Sequence, residues 1–204
     1  MEYIMFTGII KDIGQITSLN SSNGDLNLSI KTSLKLNKIN IGDSICCGGV
    51  CLTVLSIQND IFNVELSKET LSVTAAKFWT KGTKINIEKS LLLGDQIGGH
   101  LVSGHVDAVT VLKSKKNIKG SVRLDFKSPK DVRPYIAKKG SISIDGVSLT
   151  INEVNKSSFS VNVISHTFKN TTLGNLNEKD LVNIEVDTIA RYAVNATKYY
   201  IKEK

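Results

Sequence analysis

The chain holds only three histidines, and one of them, His105, follows Ser103-Gly104 in the stretch GGHLVSGHVD that runs from Gly98 to Asp107. An imidazole beside a glycine can move a proton near neutral pH where the backbone admits a close ligand, although a hydrogen-bonded structural histidine is the plain alternative. Small hydroxyls recur in pairs: Thr7 with Ser103, Thr53 with Thr150, and Thr70 with Thr167. One threonine in a sheet is ordinary, but their recurrence beside glycines suits a flat, hydrogen-bonding ring better than a phosphate. Metal chemistry is not expected. His100 and His105 are five positions apart, which puts them on opposite faces of a strand, or about 140° apart on a helix. Cys46, Cys47 and Cys51 are an odd number confined to one half with no histidine nearby, and so resemble neither a disulfide framework nor a zinc site. Phosphate-loop, dinucleotide, zinc-protease and serine-elbow motifs are absent from the sequence.

The elements that must position these residues come in two copies. Thr7-Gly8-Ile9-Ile10 is matched by Ser103-Gly104-His105-Val106, and GVCLTV at Gly49 by GVSLTI at Gly146. Glu69-Thr70-Leu71 then returns as His166-Thr167-Phe168, and Asn86-Ile87-Glu88 as Asn183-Ile184-Glu185. An ordered series of matches at nearly constant offset means a duplicated domain. We divide the 204 residues into barrels at 1–97 and 98–187 and a helix at 188–204. With 41% hydrophobic and 22% charged residues the chain reads as soluble and globular. It has no apolar run near the roughly 20 residues of a membrane span. No basic stretch followed by an apolar one opens it, so a cytoplasmic location is expected. The +7 charge comes from scattered lysines, the densest being Lys113, Lys115, Lys116 and Lys119 in an expected loop ending at Gly120. Nucleic acid and membrane are therefore not the expected partners.

In the first copy, Leu26, Leu28 and Ile30 alternate with polar residues, the pattern of a half-buried strand. Strands are expected at 6–19, 26–31, 44–47, 51–57, 62–66 and 84–89, with one helical turn after Glu69. The second copy repeats them at 107–113, 121–126, 141–144, 148–154, 159–164 and 181–186. Six short strands per copy predict an all-β fold of two antiparallel barrels. Ser128 and Pro129 predict the start of an inserted helix running to Lys138. Gly42 to Gly49 is one residue longer than Gly140 to Gly146, which predicts a bulge in the first copy. Asp187 can cap a terminal helix with Ile189, Tyr192, Ala193, Ala196, Tyr199 and Tyr200 on one side. That helix either folds back on its own domain or pairs with other subunits.

Taken together, FTGII, GVCLTV, KET, GGHLVSGHVD, IDGVSLTI, Thr171-Thr172-Leu173-Gly174 and NIEVD resemble the riboflavin synthase family of the trimeric α-chain type, along essentially the whole chain. The resemblance implies two tandem six-stranded Greek-key barrels, a C-terminal helix at a homotrimer interface, and no cofactor or metal. It implies transfer of a four-carbon unit between two molecules of 6,7-dimethyl-8-ribityllumazine, giving riboflavin and 5-amino-6-ribitylaminouracil. One pocket would comprise Gly8, Ile9, Ile10, Cys51, Leu52 and Thr53 with Glu65, Leu66, Ser67, Lys68, Glu69 and Thr70. The other would comprise Gly104, His105, Val106, Lys139, Ser148, Leu149 and Thr150 with Asn162, Val163, Ile164, Ser165, His166 and Thr167. His105 and Cys51 are the implied chemical groups, supported by Ser44, Phe6 and Asp187, and facing pockets would come from different subunits. Lumazine synthase is a candidate partner, and a lumazine-binding antenna protein without turnover is the rival reading. The chain departs from the family in the four residues before Met5-Phe6, and in Gly48 where Asn is common.

Overall fold

The computed structural model describes residues 5–202; Met1 to Ile4 and the last two residues of the expected terminal helix lie outside them. Among the described residues, twelve strands close into two barrels of six. The first contains β1 (Asp12–Ser22), β2 (Asp25–Lys31), β3 (Ser44–Cys47), β4 (Val50–Gln58), β5 (Ile61–Leu66) and β6 (Lys84–Lys89). The second contains β7 (Ala108–Ile118), β8 (Ser121–Lys127), β9 (Ser141–Ile144), β10 (Val147–Val154), β11 (Ser158–Ile164) and β12 (Leu181–Val186). Around the first barrel the order is β1-β2-β5-β4-β3-β6, and the second has the same circuit, β7-β8-β11-β10-β9-β12. Neighbours pair antiparallel, and the jump from β2 to β5 makes each barrel a Greek key. Among the described residues there are three α-helices, α1 (Lys68–Val73), α2 (Ser165–Asn170) and α3 (Thr188–Lys202), besides short 3₁₀ turns.

Alternation along the strands decides what fills each barrel. Leu28, Ile30, Leu52, Val54, Phe62, Val64 and Leu66 point inward in the first, while Leu124, Phe126, Phe159 and Val161 do so in the second. The Phe126 and Phe159 rings stack with centroids 5.6 Å apart. Outward positions of β4 and β5, Thr53 and Glu65 among them, remain exposed. Closure removes the free strand edges that an open sheet would present.

Three expectations are corrected. The inserted helix is a single 3₁₀ turn, Arg133–Tyr135, and Ser128 caps nothing, its buried hydroxyl having no partner among the described residues. Pro134 explains this: it lacks the N–H that an α-helix running through it would bond back to Lys130, and its ring crowds the preceding turn. The first copy carries the same turn at Leu36–Lys38, so nothing is inserted. The bulge is also absent. β3–β4 and β9–β10 pair in register across two-residue turns, Gly48-Gly49 (φ 55 and 83) and Asp145-Gly146 (φ 46 and 82). Gly42 is matched not by Gly140 but by Lys139, whose φ of 69 shows the left-handed position kept without glycine. Finally, Lys113, Lys115 and Lys116 belong to β7 and not to a loop, and Lys115 Nζ donates to the carbonyls of Gly174 and Leu176.

Candidate functional site

Each copy begins with an extended arm, and each arm lies on the other copy's barrel. Phe6 and Val102 exchange backbone hydrogen bonds of 2.7 and 3.0 Å where the two arms pass. Beyond that point the Gly8 carbonyl accepts from Ser148 N (2.9 Å), and the Gly104 carbonyl accepts from Cys51 N (2.9 Å). Ile10 therefore packs on the core of the second barrel, and Val106 on that of the first. Both glycines are required. At φ 75 and 76, a Cβ on Gly8 would fall 2.5 Å from Ser148 Cβ, and one on Gly104 would fall 2.6 Å from Cys51 Cβ.

The repeated Asn-Ile-Glu triplets hold the crossing in place. Glu88 accepts from Thr7 N (2.9 Å), Thr7 Oγ1 (2.7 Å) and Gly8 N (2.9 Å). Glu185 accepts from Ser103 N (2.7 Å), Ser103 Oγ (2.6 Å), Gly104 N (2.8 Å) and His105 N (3.1 Å). Burial pushes both carboxyls above the usual range, and the arm's hydrogen bonds oppose that shift. Asn86 Nδ2 donates to the Asp145 carbonyl while its Oδ1 accepts from Thr172 N, both at 2.8 Å. Asn183 mirrors it, donating to the Gly48 carbonyl (2.8 Å) and accepting from Ala75 N (2.7 Å). These four residues were legible only as a repeat. Their chemical signal was a Glu and an Asn recurring in strands whose neighbours are apolar, since such groups persist in a core only when fully bonded.

The crossing regroups the expected pockets. Gly104, His105 and Val106 join Cys51 and Thr53 on the first barrel, beside the outward Glu65 and Ser67 of the β5 end. Gly8, Ile9 and Ile10 join Ser148 and Thr150 on the second, beside Asn162 and Ile164. Leu52, Leu66, Leu149 and Val163 point into the cores, so each can offer a ligand only its backbone. Ser67 caps α1 by accepting from Thr70 N (3.1 Å), with Lys68 and Glu69 in its first turn. Ser165, His166 and Thr167 open α2 in the same place. Lys139 stands on the second barrel, bonded through its N–H to the Ile151 carbonyl.

The expected chemical groups divide. His105 is exposed on its arm above Cys51. Burial pushes the Cys51 thiol up, a hydrogen bond with Ser44 only partly offsetting it, so this sulfur is a neutral thiol and a poor nucleophile near pH 7. Phe6 is fully buried with Cys46 and Val102, against Cys51, and supports the pocket from beneath. Asp187 caps α3, its Oδ1 accepting from Ile189 N (2.9 Å). His100, considered from sequence only as a metal partner for His105, has its Nδ1 2.7 Å from Ser148 Oγ on the second barrel. Burial pushes this histidine down, Asp187 opposing, and among the described residues its buried Nε2 has no partner.

Fold and site thus define a duplicated Greek-key protein with one open face per barrel, each crossed by the other half's arm. Residues 7–90 and 103–187 each match the lumazine binding domain. The riboflavin synthase of Brucella abortus (strain 2308) is 43% identical over 200 residues, covering 96% of this chain and 99% of that one. That of Bacillus subtilis (strain 168) is 36% identical, covering 92% of this chain and 87% of that one. The crystal structure of LumP complexed with riboflavin superposes with a TM-score of 0.83 at 24% identity, covering 89% of this chain and 99% of LumP. The chain belongs to the lumazine-binding-domain family, and within it to the riboflavin synthases.

Proposed function

We propose that the two crossed pockets each hold one 6,7-dimethyl-8-ribityllumazine, and that pockets of neighbouring subunits face each other so that one ring passes a four-carbon unit to the other. The carrying observation is the equivalence of the two sites: Gly104 on Cys51 and Gly8 on Ser148 present the same backbone geometry to a flat ring. A reaction between two like molecules needs two like sites. Aligning the rings at contact distance is worth about 7 to 11 kcal/mol in favourable cases.

Within this reading, Thr53, Thr150 and the arms' backbone bind the pyrimidine edge, and the α1 and α2 starts hold the ribityl chains. His105 moves the proton of the acidic C7 methyl, while a water, favoured over the neutral Cys51 thiol, adds to the partner ring. Homotrimer assembly through α3 is supported by its exposed Ile189, Tyr192, Tyr200 and Ile201, each about 70% exposed in the single chain. The pockets support the same reading, since Thr53, Glu65 and His105 lie exposed in the single chain. Three free cysteines fit a reducing cytoplasm, and lumazine synthase is the candidate partner. Mixing the purified protein with the lumazine should produce flavin fluorescence. Tight binding with no flavin formed would instead assign the chain the antenna role.

A further inference from the structure

A cavity of about 690 Å³ opens between the barrels, lined by both copies but by none of Gly8, Cys51, Gly104 or Ser148. Its size falls within the range of small-molecule sites. Its walls are the equivalent turns and loops of the two copies, and they differ in chemistry. On one side Gly48 lets the Trp79 ring lie against the β3–β4 turn, where a Cβ would come within 2.9 Å of it. On the other, the equivalent residue is Asp145, whose Oδ1 accepts from Asn183 N at 2.8 Å. Among the described residues, Asp145 Oδ2 has no protein hydrogen-bond partner, and no Lys or Arg pairs with the carboxylate.

We propose that this inter-barrel cavity is a second ligand site, taking a small planar cation such as an amidinium or protonated amino-heterocycle, with its ring against Trp79 and an N–H on Asp145 Oδ2. The other charged groups lining it are Lys84, Lys179 and Asp180. Formal charge across the cavity therefore sums to zero, and burial decides the preference: Lys84 and Lys179 are exposed, whereas Asp145 forms the wall. A carboxylate oxygen left without a protein donor on a cavity wall gains most from a donor that carries positive charge. Trp79 supplies the best aromatic face for that cation. Phe78 and Leu181 add apolar rim on the two sides.

The chain's single tryptophan is Trp79, so its emission reports on this site alone. Titrating benzamidinium into the purified full chain at pH 8 should give a saturable emission change with matching calorimetric heat. Asp145→Asn should weaken it about tenfold or more. Leu181→Arg, at a 40% exposed rim position that need not disturb folding, should abolish it by placing a cation over Asp145. Saturating 6,7-dimethyl-8-ribityllumazine should leave the benzamidinium heat unchanged. Absence of saturable heat in the wild type, undiminished binding in either variant, or displacement by the lumazine would overturn the proposal.

Discussion

A buried carboxylate surrounded by N–H and O–H donors cannot be replaced by its amide without turning a donor onto a donor. In Glu185→Gln, at least one of the bonds from Ser103, Gly104 and His105 would be lost to a clashing NH₂ group. The expected cost is about 1 to 3 kcal/mol, measured by denaturant unfolding. Because the arm crosses, the damage should appear at the first barrel's pocket, where ligand contacts to Cys51 and Thr53 would weaken. Glu88→Gln should do the reverse and spare the first barrel. Asp145 carries a different signature. Burial pushes it to about 7, above its ordinary value, so the folded state prefers the protonated acid. Its stability contribution is complete below its unfolded pKa and is lost as pH rises through about 7. Asp145→Asn, which keeps the bond from Asn183 N and tolerates a positive φ, should therefore raise the melting temperature most above pH 7 and least near pH 4. An equal effect at both pH values would contradict the assignment.

At the scale of elements, the arms are the decisive structures. Gly104→Ala places a methyl 2.8 Å from Cys51 N at a φ of 76, so the arm must lift from the first barrel. Loss of about 1 to 3 kcal/mol is expected, together with ligand loss from that barrel alone; titration calorimetry should show half the original stoichiometry. Much of the fold beneath the arms was readable beforehand. Alternation such as Leu28, Ile30 against Ser29 marks a strand wherever one face is buried, and the matched motifs doubled every inference. The arms' destination was not readable, because nothing local to Thr7-Gly8-Ile9 says which barrel it will cover. The bond from Ser148 N to the Gly8 carbonyl joins residues far apart in the chain, and only the assembled fold reveals it. The same limit explains the mistaken helix, where the cap signal at Ser128 was weighed without Pro134. It explains the mistaken bulge too, where glycines were aligned by type although a lysine had taken the left-handed position.

Across the whole molecule, one chain offers two open barrel faces and a helix with exposed apolar residues, and in the proposed assembly a second copy covers both. Truncation after Asp187 should leave both barrels folded, since α3 is tied to them chiefly by Arg191 with Asp107 and by Lys198 against Tyr135. Sedimentation should then show smaller assemblies that bind the lumazine and turn it over at least a hundredfold more slowly, about the scale of lost alignment. Full turnover by a monomer would contradict sites shared between subunits. The proposed reaction requires both barrels to be occupied, each under the other's arm. A crystal structure with bound lumazine tests this directly: it should show two ligands per chain, one between Cys51 and Gly104 and one between Ser148 and Gly8, whereas a single ligand with the other pocket closed by side chains would contradict it.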